Sequence, residues 1–373
     1  MLSCNTGEGH NSCAKAIRES FVRHGDECDI IDSLGFISSG VSKFISKGHV
    51  LVYRHIPRLF RRGYRYSERH EELFREGSFT YRLMASGADR LFDYISDKGY
   101  DAVLCPHVFP SLMVTAMLKK HDIALKTCFV DTDYTCSPGT EESRLDRYFI
   151  PDMSVMRGHE RAFDMNRVVE SGIPVRQTFF TAREKAEAKR AVGIPEDAEH
   201  LLVMCGSMGC GPMKRLSAYI ALELRDDQYM TVVCGTNHRL RSWLDFNYGA
   251  RENIRILGFT DDISLLMDSA DLYLTKPGGI STSEAAVKAL PMVLVDAVSG
   301  CERYNRDYFV DSGLAVTADR PLKLAHLSAR LLSDAERREA MRAAGLRRAR
   351  HNSAELIYNE MSAESLKKKE GTK

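Results

Sequence analysis

The sequence predicts an α/β protein of two Rossmann-like domains in tandem, with parallel sheets and an interdomain cleft as the default ligand site. Three observations predict it. The 373 residues exceed what one typical core organises, which favours two domains. Short apolar runs alternate with longer stretches of helical periodicity through both halves. Glycine-rich turns follow several of the apolar runs, where a parallel strand would hand over to a helix.

In order, Met1–Cys4 reads as a strand, Asn11–His24 as a helix and Cys28–Asp32 as a second strand. Residues 33–97 are mostly helical in pattern and rich in arginine and aromatics. DAVLC (101–105), KTCFVD (126–131) and RYFI (147–150) are strands, with a helix over 108–120 between the first two. In the second half HLLVMC (200–205), YMTVVC (229–234), IRIL (254–257), DLYLT (271–275), MVLVD (292–296) and LAV (314–316) repeat the alternation. Proline and charge interrupt the rhythm over 174–200. The boundary falls there, giving domains 1–175 and 176–373, with the terminal helices able to pack back on the first domain.

Composition narrows the class. An apolar fraction of 44% and a charged fraction of 28% are those of a soluble globular chain. A net charge of +1 gives no reason to expect a nucleic-acid partner. Ten cysteines include no C-x-x-C pair, and most lie in strand-like runs, so reduced thiols in a cytosolic protein are expected. No run of eighteen apolar residues and no basic-then-apolar start is present, so neither a spanning helix nor a secretory signal is expected.

The chemistry concentrates at strand-end turns. In TKPGGISTSEAAVKALPMVLVD (275–296), Gly278 and Gly279 precede a helix expected over Ser281–Leu290. Unpaired N–H groups at such a helix start suit a diphosphate, with Ser281, Thr282 and Ser283 as added donors or caps. Glu284, one turn in, suits ribose hydroxyls. NTGEGHNS (5–12) lets a ligand approach at Gly7 and Gly9 and ends on His10, a candidate base; it is neither a Walker loop nor a complete G-x-G-x-x-G. CGSMGCGP (205–212) repeats the device with Gly206, Ser207 and Gly209. Glu302 and Asn305 share a helix face that suits sugar hydroxyls. Asp131 and Asp133 follow a strand end and suit orienting a base or a substrate hydroxyl, and no metal site is expected from the spacing. Each of these has a plain alternative as a cap, a packing turn or a solvated face.

One stretch stands apart. YRHIPRLFRRGYRYSERH (53–70) interleaves aromatics with Arg58, Arg61, Arg62 and Arg65, a pattern suited to an anionic membrane surface or to a solvated helical face over a buried stripe.

TGEGHNSCAKAI (6–17) and TKPGGISTSEAAVKALPMVLVDAVSGCERYN (275–305) resemble the monogalactosyldiacylglycerol synthase and processive diacylglycerol glucosyltransferase group. The second stretch is also similar to the N-acetylglucosaminyltransferase of peptidoglycan synthesis. The resemblance implies a GT-B fold, with the donor mainly in the C-terminal domain and the acceptor in the N-terminal one. It implies inverting transfer of a sugar from UDP, without a metal or other cofactor; together with the basic aromatic segment it favours a lipid acceptor and a peripheral enzyme of the cytoplasmic membrane face. It places Gly278, Gly279, Ser281 and Thr282 at the diphosphate, Glu284 at the ribose, Phe259 of LGFTDD (257–262) at the uracil, Glu302 and Asn305 at the sugar, and His10 at the reaction centre. Two departures accompany it: Cys301 stands where the group commonly has glutamine, and Tyr134-Thr135 follows Asp133 where the glycerolipid enzymes often have histidine and tryptophan. A UDP-sugar epimerase and a non-catalytic UDP-sugar sensor are the alternatives on the same fold.

Overall fold

The structure, a computed structural model, describes residues 1–4, 8–38, 40, 57–209, 211–295, 300–347 and 352–370, with side chains except at 57–61 and 363–370. The chain forms two compact units. The first is Met1–Gln177 with Ser299–Cys301 and His351–Lys373; the second is Thr178–Val298 with Glu302–Arg350. The second unit ends at Arg350, and the last helix returns to the first unit.

The first unit begins β1 (Leu2–Ser3), α1 (Glu8–Arg23), β2 (Ile31–Asp32), α2 (Pro57–Arg69), α3 (Phe79–Ala85) and α4 (Ala88–Lys98). It continues β3 (Ala102–Cys105), α5 (Val108–Lys120), β4 (Lys126–Val130), β5 (Arg147–Ile150) and β6 (Val168–Glu170). β3-β4-β5-β6 is a parallel sheet, and β1 pairs in parallel with β2. All five residues of β4 are buried, as expected of a strand covered by helices on both faces. Leu112, Met113 and Met117 of α5 pack with Leu91, Phe129 and Leu145 in this unit's core; each such side chain contributes about 1.5–3 kcal/mol by leaving water. The second strand is shorter than the expected Cys28–Asp32: β1 offers only two partners, and the Met1 ammonium instead donates to the Asp29 carbonyl at 2.8 Å. β6 was not expected, since three residues at an edge, two half-buried and one exposed, carry too little periodicity to read.

The second unit runs α6 (Lys185–Ala191), β7 (Glu199–Met204), α7 (Met213–Glu223), β8 (Gln228–Val233), α8 (His238–Tyr248), β9 (Ile254–Leu257), α9 (Ile263–Ser269) and β10 (Leu272–Thr275). There follow α10 (Gly279–Val287), β11 (Met292–Leu294), α11 (Gly300–Asp311), β12 (Ala315–Thr317), α12 (Pro321–Leu332) and α13 (Ala335–Leu346). Its parallel sheet has the order β12-β11-β10-β7-β8-β9, with Met204 paired to Thr275 at the centre. The order reverses between β7 and β10, and in such a sheet the crevice beyond those two strand ends is where ligands bind. Leu201, Val203, Val232, Leu272, Leu274 and Val293 form the core beneath it.

The final helix, α14 (Ser353–Glu370), packs on α1 of the first unit. Tyr358 stacks on His24 and meets Phe21 edge-on, Glu355 accepts from Ser20 and Arg23, and Ile357 is fully buried.

Candidate active site

In the first unit the site is built on the carboxyl ends of β1, β3 and β4. α1 starts at Glu8, so Gly9 and His10 lie in its first turn and not in a preceding loop; Gly7 lies outside the described residues. His10 Nδ1 lies 2.8 Å from the carbonyl oxygen of Pro106, after β3, and 3.1 Å from Thr132 Oγ1, after β4. A carbonyl only accepts, so Nδ1 carries the proton and Nε2 is the basic nitrogen. His107 meets the imidazole edge-on at 4.6 Å, and its own Nδ1 caps α5 by accepting from the Phe109 amide. The tautomer and tilt of His10 are thus set by groups from two other strand ends, the arrangement a general base requires. Sequence reading found His10 but missed Pro106 and Thr132, which carry no motif of their own.

The two carboxylates part company. Asp131 is 3% exposed and accepts from the amides of Thr132 and Asp133, tying down its own turn. Burial, followed by the Asp133 carboxylate, pushes Asp131 well above the usual carboxylate range. It is a buried loop anchor, whereas Asp133 is half-buried. On the same loop Cys136 and Glu141 approach His159 with ligand atoms within 4.8 Å of one another, a three-residue group that the spacing argument did not foresee.

In the second unit three turns follow the carboxyl ends of β7, β8 and β10. Gly278 is the N-cap of α10 and has no side chain to fill it, and the helix begins at Gly279, two residues earlier than expected. The Thr282 amide is the first to find a helical partner, the Gly278 carbonyl. The amides of Gly279, Ile280 and Ser281 therefore form the positive end of the helix. Thr282 is not an extra donor: it is fully buried and its hydroxyl donates back to Gly278 O at 2.8 Å. Ser281 is half-buried on the first turn, and Glu284 is 9% exposed.

The 205–212 turn is locked against the turn after β8. The Thr236 amide donates to Ser207 O at 2.8 Å, and Asn237 Nδ2 to Gly209 O at 3.0 Å. Gly209 has φ +53°, and a Cβ there would lie 2.3 Å from the Cys234 carbonyl. Packing against the β8 turn by itself requires a glycine here. Gly206, at φ +73°, instead faces Lys276: a Cβ there would lie 2.8 Å from Lys276 Cε.

The expected sugar-binding face of α11 is turned inward. Glu302 is 4% exposed and accepts from Lys276 Nζ at 2.7 Å; Asn305 is fully buried and donates to Pro277 O at 3.0 Å. Both brace the Lys276-Pro277-Gly278 turn. Lys276 was missed; the available signal was a lone cation between a strand and a glycine pair. Phe259 is 65% exposed, open to a stacking partner.

Comparison with known proteins adds what geometry does not. Residues 10–175 match the model of the monogalactosyldiacylglycerol (MGDG) synthase family, and 194–348 that of glycosyl transferases group 1. The chain is 26% identical to a processive diacylglycerol β-glucosyltransferase of Bacillus pumilus, over 92% of this chain and 88% of that one. It is 27% identical to a probable chloroplastic monogalactosyldiacylglycerol synthase 2 of Oryza sativa, over 88% and 72%. The chain is a glycosyltransferase. Its fold is GT-B: MurG of Acinetobacter baumannii superposes with a TM-score of 0.65 at 13% identity, over 97% and 98% of the two chains. The calicheamicin glycosyltransferase CalG4 does so at 0.64 and 13%, over 97% of each.

The remaining expectations concern this enzyme's surface. α2 is a helix on which Arg62 and Arg65 are exposed; the side chains of Arg58 and Arg61 lie outside the described residues. No helix among the described residues is long and apolar enough to cross a membrane. Burial pushes the Cys4 thiol up to about 12 and Cys234 up to about 11.

Proposed function

We propose that this glycosyltransferase moves a hexose from a UDP-sugar to the free hydroxyl of diacylglycerol, with inversion, at an anionic membrane surface on the cytoplasmic side. The observation that carries the donor reading is the uncapped start of α10 at the sheet's reversal point: three amides and a helix dipole aimed where a diphosphate would lie. The acceptor reading draws on the relatives, which are named for diacylglycerol glycosylation.

In this reading the acceptor oxygen bonds to the anomeric carbon as that carbon's bond to the UDP oxygen breaks. UDP leaves with the electron pair, and the hydroxyl proton passes to His10 Nε2. Amides at the α10 start, around Gly278, Gly279 and Ser281, take the charge that develops on the diphosphate; a positioned donor of this kind contributes about 3 kcal/mol. Glu284 would hold the ribose and Phe259 would lie against the uracil. Glu302 and Asn305 act at the sugar through the turn they brace. No metal or other cofactor enters the step, and nucleic acid has no part in it. Arg62 and Arg65, with Arg58 and Arg61 on the same helix, would hold the enzyme to anionic lipid.

The test is incubation with UDP-glucose, UDP-galactose or UDP-N-acetylglucosamine and diacylglycerol in anionic vesicles, followed by mass analysis. The expected result is one glycosylated diacylglycerol formed mole for mole with UDP. An isomerised UDP-sugar without glycolipid would instead make the chain an epimerase, and binding without turnover a sensor.

A further inference from the structure

We propose that Lys276 is the side-chain cation that meets the donor's diphosphate, and that Glu302 is the positioning residue that holds it there. The proposal rests on the nucleotide-sugar reading above and names a residue that reading does not use.

Position is the first argument. Lys276 is the first residue after β10, and β10 pairs with β7 where the strand order reverses. Its side chain runs between the two glycine turns that follow those strands. A Cβ on Gly206 would lie 2.8 Å from its Cε, and a Cβ on Gly278 3.1 Å from its Nζ. The ammonium therefore stands beside the N-cap of α10, next to the amides of the uncapped helix start. Any anion seated on those amides sits within reach of it. The far end of the lysine thus lies against both glycine turns.

The second argument separates this pair from a purely structural one. Lys288 and Asp268, also 2.7 Å apart, have side chains 3% and 5% exposed, a closed pair. Lys276 is 20% exposed against 5% for Glu302. Its carboxylate partner is sealed in the protein, while the ammonium keeps a face toward solvent. Glu302 is itself fixed on α11, whose Asn305 is tied to Pro277 in the same turn. The carboxylate thus sets where the ammonium points, and its negative charge opposes the ligand's. Removing either partner should have opposite effects on anion affinity.

The experiment uses the full chain and its Lys276→Met, Lys276→Arg and Glu302→Gln variants, with melting temperature recorded for each. UDP affinity is read by calorimetry, uridine affinity by NMR titration, and kcat and KM with the UDP-hexose the wild type accepts. Expected are an about tenfold or greater loss of UDP affinity in Lys276→Met with uridine affinity unchanged, and partial recovery in Lys276→Arg. Glu302→Gln should keep or raise UDP affinity while kcat falls. Wild-type UDP binding with an unaffected Lys276→Met, or equal losses for UDP and uridine, overturns the role of Lys276 alone. Parallel losses of UDP affinity in Lys276→Met and Glu302→Gln overturn the positioning role. A wild type that binds neither UDP nor any UDP-sugar overturns the donor reading and the proposal with it.

Discussion

His10 Nδ1 points at the Pro106 carbonyl from 2.8 Å, and this one contact decides which nitrogen of the ring can act as a base. The imidazole is presented from the first turn of α1, while the carbonyl belongs to the turn after β3. Two strand ends that are far apart in sequence therefore share one functional group.

Replacing His10 by alanine should lower kcat by about 10²- to 10⁴-fold, the usual contribution of a positioned base. UDP affinity should stay within about twofold, because the diphosphate turn belongs to the other unit. Steady-state kinetics beside UDP calorimetry checks both; unchanged turnover removes His10 from the mechanism.

Much of this was legible in advance, and the failures are instructive. Buried strands such as β4 and β10 carry short apolar stretches, CFV and LYL, between turn signals, and each lies within a residue or two of its expected bounds. β6 failed because an edge strand of two half-buried residues and one exposed residue has no run to read. Candidate site residues were readable where a residue type announces its chemistry, as with His10 and the Gly278-Gly279 pair. It was not legible where tertiary pairing decides the role. Thr282 and Asn305 are hydrogen-bonding residues in the right motif, yet both are spent on backbone carbonyls. Asp131 looked like a cleft carboxylate and proved a buried anchor. Lys276 acquires meaning only once β10 is seen beside β7.

Gly209→Ala should destabilise the second unit by about 2 kcal/mol or more, since it combines left-handed strain with a Cβ 2.3 Å from the Cys234 carbonyl. Denaturant unfolding of the variant measures it. A loss below about 0.5 kcal/mol would show that the two turns are not locked together as described.

His200 gives a pH prediction. It is fully buried, with Nε2 at Thr231 Oγ1 and Nδ1 at Ser269 Oγ, and desolvation lowers it from 6.5 to about 4. The neutral ring is favoured in the folded state. Its contribution is complete above pH 6.5, and it is lost as pH falls from there to about 4, by up to about 1.4 kcal/mol per pH unit. Urea unfolding at several pH values should show that slope, and His200→Gln should flatten it. An identical slope in the variant would assign the acid sensitivity elsewhere.

Arg62 and Arg65 are exposed on α2. If this helix meets anionic lipid, changing both to alanine removes about 2 kcal/mol of surface attraction, or about thirtyfold in vesicle affinity at low salt. Flotation with phosphatidylglycerol vesicles reads this, with turnover on a detergent-dispersed acceptor as the control. Equal vesicle binding by the variant would free α2 of that role.

The account stands or falls on where a diphosphate lies in the second unit. A crystal grown with UDP tests this most directly. The account predicts phosphate density against the amides of Gly279, Ile280 and Ser281, with Lys276 Nζ within hydrogen-bonding distance. Density for UDP at any other place, with the start of α10 bare, would contradict it.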